Sequence, residues 1–302
     1  MKDKTGALWI LFAAMLWGTT GTAQELAPDQ THPIAVGAAR LAVGGISMLV
    51  IALLMGRVNW KQWPKKPTAI AALSMAAYQP LFFSAVTITG VAVGTVVAIG
   101  SAPVLSGAIE WMFARKRPSP VWWCSTFVSI LGCMLLFMNT QSVSVDPNGI
   151  VMALGAGLSF AVYTFASREL TSTHHPTMLV AVVFTLSAFL LSPFVFVLDM
   201  EWILTGRGML VSLHLGMIAT GAAYLLFAIG LRHVASSTAV TLSLAEPLTA
   251  ALLGVFLLGE ILNLTSWIGV ILMVGGIGLL VFMTKRSKSN QQSRLKKHQS
   301  VF

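Results

Sequence analysis

The chain has 302 residues, 56% of them hydrophobic and only 10% charged, with a formal net charge of +9 and a mean hydropathy of +0.81. A soluble fold of this length needs far more charge to cover its surface, so the composition excludes a water-soluble domain and points to an integral membrane protein. The positive balance does not point to nucleic acid either, because the basic residues sit in short loops between apolar runs and at the C-terminal end, the pattern that orients membrane proteins.

A spanning helix needs about 20 mostly apolar residues. By that rule the chain offers ten spans: 6–26, 33–55, 67–88, 91–113, 121–138, 149–168, 176–198, 208–230, 236–258 and 264–283. The start, Lys2-Asp3-Lys4 before an apolar run, resembles a signal peptide. The run is long for such a core and further spans follow, so it reads as the first span. The breaks carry turn or charge signals: Pro28-Asp29, Trp63-Pro64-Lys65-Lys66-Pro67, Arg115-Lys116-Arg117-Pro118, Asp146-Pro147-Asn148-Gly149 and His174-His175-Pro176. The break at Thr89-Gly90 carries no charge at all.

Taken in chain order, the first span puts Trp17, Thr20 and Gln24 on one helical face. The second holds Arg40 about 10 Å below the surface by the rise per residue, flanked on its face by Gly37, Gly44 and Ser47. A charge at such depth costs about 2.5 kcal/mol or more and by default marks a path or a binding site for something polar. The third span carries Tyr78-Gln79-Pro80 at its middle. The fourth has Gly94, Ala98, Ala102 and Ser106 at a spacing suited to close helix contact, then Glu110, which is expected to snorkel and pair with Arg115 or Lys116. In the fifth, Cys124 and Cys133 fall on opposite faces, which argues against an intrachain disulfide.

The sixth span repeats the theme of the first, with Phe160, Tyr163 and Ser167. Aromatic and polar groups on both elements suit a central cavity for a small organic molecule. His174-His175 lies in a loop with no third ligand nearby, so no metal is expected, and no cofactor motif is present. The eighth span places His214, Gly221 and Tyr224 on one face. The ninth holds Glu246 near the bilayer centre with Ser243 and Thr249 on its face, and Pro247 directly after it frees a backbone carbonyl. A carboxyl group in low dielectric can exchange a proton near neutral pH, or it can bind a substrate amine. The candidate substrate-binding set is thus Glu246, Arg40, Trp17, Thr20, Tyr78, Gln79, Tyr163, His214, Tyr224 and Ser243, with Glu246 also the candidate for proton coupling.

With the N-terminus in the cytoplasm, the outer side keeps only Arg207, Arg40 lies within a span, and every other Lys and Arg falls inside. This sorting supports ten spans with both termini cytoplasmic in the inner (plasma) membrane. The halves also resemble each other. At an offset of 144, Phe83 falls on Phe227, Val96 on Val240, Pro103 on Pro247, Trp123 on Trp267 and Gly132 on Gly276; nearer the start the offset is 143, pairing Gly6 with Gly149 and Pro33 with Pro176. Five spans per half is odd, so the second half enters from the opposite side. The expected fold is all-α: two inverted five-helix repeats, 1–140 and 141–284, then a basic, disordered cytoplasmic tail, 285–302.

Leu16-Trp17-Gly18-Thr19-Thr20, Arg40, Ala102-Pro103, Glu246-Pro247, Leu258-Gly259-Glu260 and the glycines of the tenth span resemble the drug/metabolite transporter superfamily, in particular its EamA-type members, over residues 6–283. The resemblance implies a ten-helix transporter of small polar metabolites, often an exporter. One departure stands out. Members often place a Gly-Glu pair after the fourth helix too, where this chain has Arg115-Lys116.

The leading expectation is a secondary transporter exporting an amino acid, an amine or a related compound by alternating access. A proton-coupled importer or exchanger is the alternative. No Gly-x-x-x-x-Gly-Lys-Ser/Thr loop occurs, which argues against direct ATP drive. Gly157-Leu158-Ser159-Phe160-Ala161 departs from Gly-x-Ser-x-Gly at its last position and no His-Glu-x-x-His is present, so an intramembrane enzyme is disfavoured. A channel fits poorly with such sparse polar groups. The expected partners are a small-molecule substrate and the lipid bilayer, with no nucleic acid. A homodimer through the glycine-bearing fifth and tenth spans is a further candidate.

Overall fold

The computed structural model describes residues 2–28, 31–58, 61, 63–138 and 146–299; the turn residue Asp29, the side chains of 2–4, 25 and 283–299, and residues 300–302 of the tail lie outside the described part. The described chain is helical and contains no strand: α1 Lys2–Glu25, α2 Pro33–Leu54, α3 Lys65–Ala114, α4 Pro120–Phe137, α5 Pro147–Thr173, α6 Pro176–Val195, α7 Gly206–Leu213, α8 Ala223–Leu231, α9 Ser236–Leu242, α10 Ala245–Leu258 and α11 Leu264–Gln299. A short 3₁₀ turn, Glu201–Leu204, precedes α7, and a π-helical segment, His214–Ala222, joins α7 to α8. Helices suit the setting, because hydrocarbon offers backbone groups no partner outside the segment itself.

The turn signals become helix starts. α2, α4, α5 and α6 each open on a proline at the first position, where the missing N–H is not needed. Ser119 Oγ accepts from the Trp122 N–H at 3.2 Å and Asp146 Oδ1 from the Asn148 N–H at 2.8 Å, capping α4 and α5.

Among the described residues nine helices are long and apolar enough to cross a membrane. The sequence pattern separates spans at 67–88 and 91–113, whereas the structure carries both in α3, a 50-residue element. At about 1.5 Å per residue an unbroken helix of that length would be roughly 75 Å long, more than twice the hydrocarbon thickness. It is not straight. Gly90 has φ 82° and ψ 160°, a conformation open to glycine alone. Past it the chain doubles back, so that a β-carbon on Gly94 would stand 3.0 Å from Val86 Cα. The arms 65–89 and 91–114 therefore lie side by side at the turn.

The span 236–258 is also divided. Pro247 has no N–H, so the Ser243 carbonyl lacks its usual partner four residues on. That carbonyl accepts instead from the Glu246 N–H at 2.9 Å, and the tightened turn separates α9 from α10.

Lipid tails give helices no hydrophobic reason to associate, so small residues do the packing. α2 lies on α6, where a β-carbon on Gly45 would stand 2.6 Å from the Thr185 backbone N. α1 packs on α10 through Gly18 and on α8 through Gly6. α4 packs on α11, with a β-carbon on Gly132 placed 2.6 Å from the Gly269 carbonyl. Of the glycines on the fifth and tenth spans, Gly132, Gly269 and Gly276 make contacts within the chain, whereas a β-carbon on Gly275 or Gly278 would meet nothing within 4 Å. The same helices carry Phe127, Leu131, Ile271 and Val274 on an exposed face. The interior is filled by Leu41, Met75, Tyr163, Phe184, Phe227 and Leu231.

Candidate functional site

α1, α2, both arms of α3, α5, α8 and the α9–α10 break converge on one small cavity. It is lined by Trp17, Arg40, Tyr78, Gln79, Ala98, Ile99, Ala102, Phe160, Tyr224, Ser243 and Glu246, and its volume is about 50 Å³. That space holds a few waters and is far below the 300–1,000 Å³ typical of a ligand pocket. The compartment is closed around its polar groups.

Those groups are held from behind. Arg40 Nε donates to Thr220 Oγ1 at 3.0 Å, and its Nη2 donates to the Ala219 carbonyl at 3.3 Å. Both partners belong to the π-helical segment, whose geometry shifts carbonyls out of the ordinary α register and recurs at functional sites. Gly44 lets α2 approach that segment: a β-carbon there would stand 2.8 Å from the Gly216 carbonyl. Glu246 occupies the first turn of α10, where the helix dipole favours a carboxylate. Among the described residues Arg40 and Glu246 form no ion pair with each other, although they face the same cavity.

One wall is aromatic. The Trp17 ring centroid lies 4.7 Å from Tyr224, 5.3 Å from Phe227 and 5.9 Å from Phe160, and Phe160 lies 6.0 Å from Tyr78. Trp17 is 4% exposed, and its indole N–H has no partner among the described residues. A buried donor left unpaired calls for an explanation, and here it belongs to a ring that lines a polar cavity.

The structure brings together Trp17, Arg40, Tyr78, Gln79, Tyr224, Ser243 and Glu246, and leaves Thr20, Tyr163 and His214 outside that lining. Tyr163 packs edge-on against Tyr224 at 5.7 Å and stacks on Phe160 at 6.2 Å, one layer behind the wall. Thr20 joins neither lining: α1 gives Trp17 to the central cavity and Thr19 to a larger neighbour. That neighbour, about 490 Å³, is bounded by α1, α7 and α10 and holds Arg207 and His214 among leucines. His214 Nε2 meets Thr19 Oγ1 at 2.9 Å, which removes it from the central site.

Ile99 lines the cavity with nothing in its type to announce it, while Ala98 and Ala102 read only as packing residues. They are that as well, since a β-carbon on Gly157 would stand 2.7 Å from the Ala98 carbonyl. Glu110 is corrected outright. It does not snorkel to Arg115 or Lys116; it is 3% exposed and bonds Arg168 and Ser237.

Two segments of the chain, residues 4–138 and 147–282, each match the EamA-like transporter family. The chain belongs to that family. It is 49% identical over 295 residues to an uncharacterized transporter, YwfM, of Bacillus subtilis, covering 98% of this chain and all of the relative. It is 28% identical over 257 residues to the threonine/homoserine exporter RhtA of Escherichia coli K12, covering 84% of each. A solved crystal structure shares its fold, with a TM-score of 0.82 at 21% identity over 93% of this chain and 98% of the other. With its many apolar helices, the chain is a multi-pass membrane transporter.

Proposed function

We propose that the chain exports a small zwitterion of amino-acid type from the cytoplasm by alternating access, as two inverted five-helix repeats in the plasma membrane with both termini inside. The observation that carries this is the central cavity, where Arg40 and Glu246 face the same space without pairing. Arg40 takes the substrate carboxylate, since its planar fork suits that group. Glu246 takes the ammonium, and the Trp17–Phe160–Tyr224 wall accepts the side chain. The closed volume means that loading must part the walls, as a carrier requires and a pore does not.

Ten spans are supported by the reversal at Gly90 inside a helix twice the needed length. The inverted plan is supported by the paired family matches, which hold five apolar runs each once α3 is divided at Gly90, and by the sorting of Lys and Arg to one side. Export agrees with what the RhtA name states of that relative. Glu246 has a second reading as a proton site, favoured by its seat in a small closed cavity with no ion pair to Arg40 among the described residues.

The test uses the full chain in proteoliposomes loaded with threonine, its decarboxylated amine or its N-acetyl form. Only the zwitterion should saturate transport. Glu246→Gln should weaken selection for the free amine, and Arg40→Lys should weaken selection for the carboxylate. Equal handling of all three compounds by wild type would sink the assignment. If the pH dependence of flux also disappears in Glu246→Gln, the proton role is added; if it persists, that role is removed.

A further inference from the structure

Outside the central site, Glu110, at one end of the second arm of α3, is bonded through both of its carboxylate oxygens. Its Oε2 accepts from the Ser237 hydroxyl at 2.7 Å and from the Ser237 backbone N–H at 3.1 Å. Its Oε1 accepts from Arg168 Nη1 at 3.3 Å. Glu110 therefore ties α9 to α3 firmly and reaches α5 loosely. Charge-assisted N–H···O contacts usually measure about 2.7–2.9 Å, so the Arg168 contact is a long one.

Arg168 is the unusual member. Its side chain is 34% exposed, against 4% for Glu110. It lines a cavity of about 690 Å³ together with Lys116, Glu169 and Arg232. Arg232 is already committed: its Nε donates to the Thr171 carbonyl at 2.9 Å and its Nη2 to the His174 carbonyl at 2.6 Å. Among the described residues Arg168 has one acceptor, and a guanidinium carries five N–H donors. An arginine with unused donors, facing open space and holding its carboxylate at arm's length, can trade that carboxylate for another.

We propose that this vestibule is the docking station for a small carboxylate, which takes Arg168 from Glu110 and thereby frees α5 from the α3–α9 pair that Glu110 still holds together. One bidentate pair of N–H···O bonds to an arriving carboxylate replaces one long contact, so the exchange is favourable for a substrate-sized anion. The consequence reaches the central site through α5, which carries Arg168 at one end and Phe160 of the aromatic wall further along. Releasing Arg168 from Glu110 removes a tie that holds α5 against α3 near the vestibule. Recognition of the carboxylate end thus happens twice, first at Arg168 and then at Arg40. This rests on the zwitterion reading above, although the test does not.

The experiment places a reporter thiol at Ser106, one turn inward from Glu110, buried and with no partner on its hydroxyl. Full-length protein in nanodiscs carries Ser106→Cys with Cys124 and Cys133 changed to alanine. Labelling by a small thiol reagent is timed with and without acetate or glycine, against chloride at equal ionic strength. Both carboxylates should accelerate labelling about tenfold, the factor expected when one hydrogen bond to a charged group is exchanged. Arg168→Gln should abolish the response, Arg168→Lys should keep part of it, and Glu110→Gln should label fast without any addition. Labelling that ignores carboxylates, or that still responds in Arg168→Gln, would overturn the proposal. Failure of the central assignment would appear elsewhere, as transport indifferent to Arg40→Lys while the labelling response persists.

Discussion

Gly18 sits where α1 crosses α10, one residue after Trp17. A β-carbon there would stand 2.6 Å from Thr249 Cβ and 2.8 Å from the Glu246 carbonyl oxygen. Ordinary contact between carbons is about 3.5–4.0 Å, so Gly18→Ala obliges the two helices to part by roughly 1 Å. No rotamer change relieves this, because the obstructing atoms are a backbone oxygen and a β-carbon. Overpacking of this kind costs about 1–3 kcal/mol. The displacement falls on the backbone of Glu246 itself, and a misplacement of about 1 Å at a positioned site can cost about a hundredfold in rate. Gly18→Ala should therefore lower the melting temperature by a few degrees and slow transport far more than that loss explains. The control is Gly21→Ala, one turn along the same helix, where a β-carbon meets nothing within 4 Å. There the change should be neutral or stabilise by about 0.5–1 kcal/mol, since alanine is the better helix former. Intrinsic tryptophan fluorescence gives the melts and proteoliposome flux gives the rates. Wild-type transport and melting in Gly18→Ala, or equal damage from Gly21→Ala, would refute the reasoning.

Two further expectations concern backbone angles and one concerns pH. Gly90 has φ 82° with open space around it, so Gly90→Ala should destabilise through strain alone, by about 1–3 kcal/mol. Arg115, at φ 53° and ψ 25°, ends α3 in the left-handed region just as Gly259, at φ 72° and ψ 21°, ends α10. Arg115→Gly should stabilise by about 1 kcal/mol in the same melts; a loss would show that the arginine side chain outweighs the strain. His175 titrates below its usual value, because partial burial and the neighbouring Arg57 and Arg232 disfavour its charged form. As pH falls below about 6.5, the unfolded chain takes up a proton that the folded chain resists, so stability declines toward acid and levels off above that value. His175→Asn should flatten this decline, read as melting temperature against pH for the two proteins side by side.

The positions of the helices were legible because apolar length and proline–charge punctuation both report on the bilayer. Arg40 and Glu246 were legible for the same reason, as charges too deep to be casual. Depth says nothing about rotation, however. Trp17, Thr19 and Thr20 lie within one turn of α1, and the packing of α8 and α10 against that turn decided which cavity each would meet. His214 shares a nominal face with Tyr224, yet the π-helical segment between them changes the register. The pairing of Glu110 leaves no trace in the sequence, because Ser237, its tightest partner, is 127 residues away and carries no charge. Ile99 had no signal at all, since an apolar side chain that lines a cavity is of the same type as one that fills a core. The break at Gly90 was seen in the sequence only as an uncharged pause, and its left-handed geometry needed coordinates.

Glu110 has no acidic twin. At the offset of 144 that pairs the halves, its counterpart is Gly254, so among the described residues the clasp on Arg168 and Ser237 is not repeated at the matching position. The opposite mouth is held by the neutral contact between Thr19 and His214. Two halves alike in every contact would tie both ends of the bundle with equal strength. Here a charged knot fastens one end and a neutral one the other, so the two ends differ in how firmly they are held and in how salt and pH would act on them.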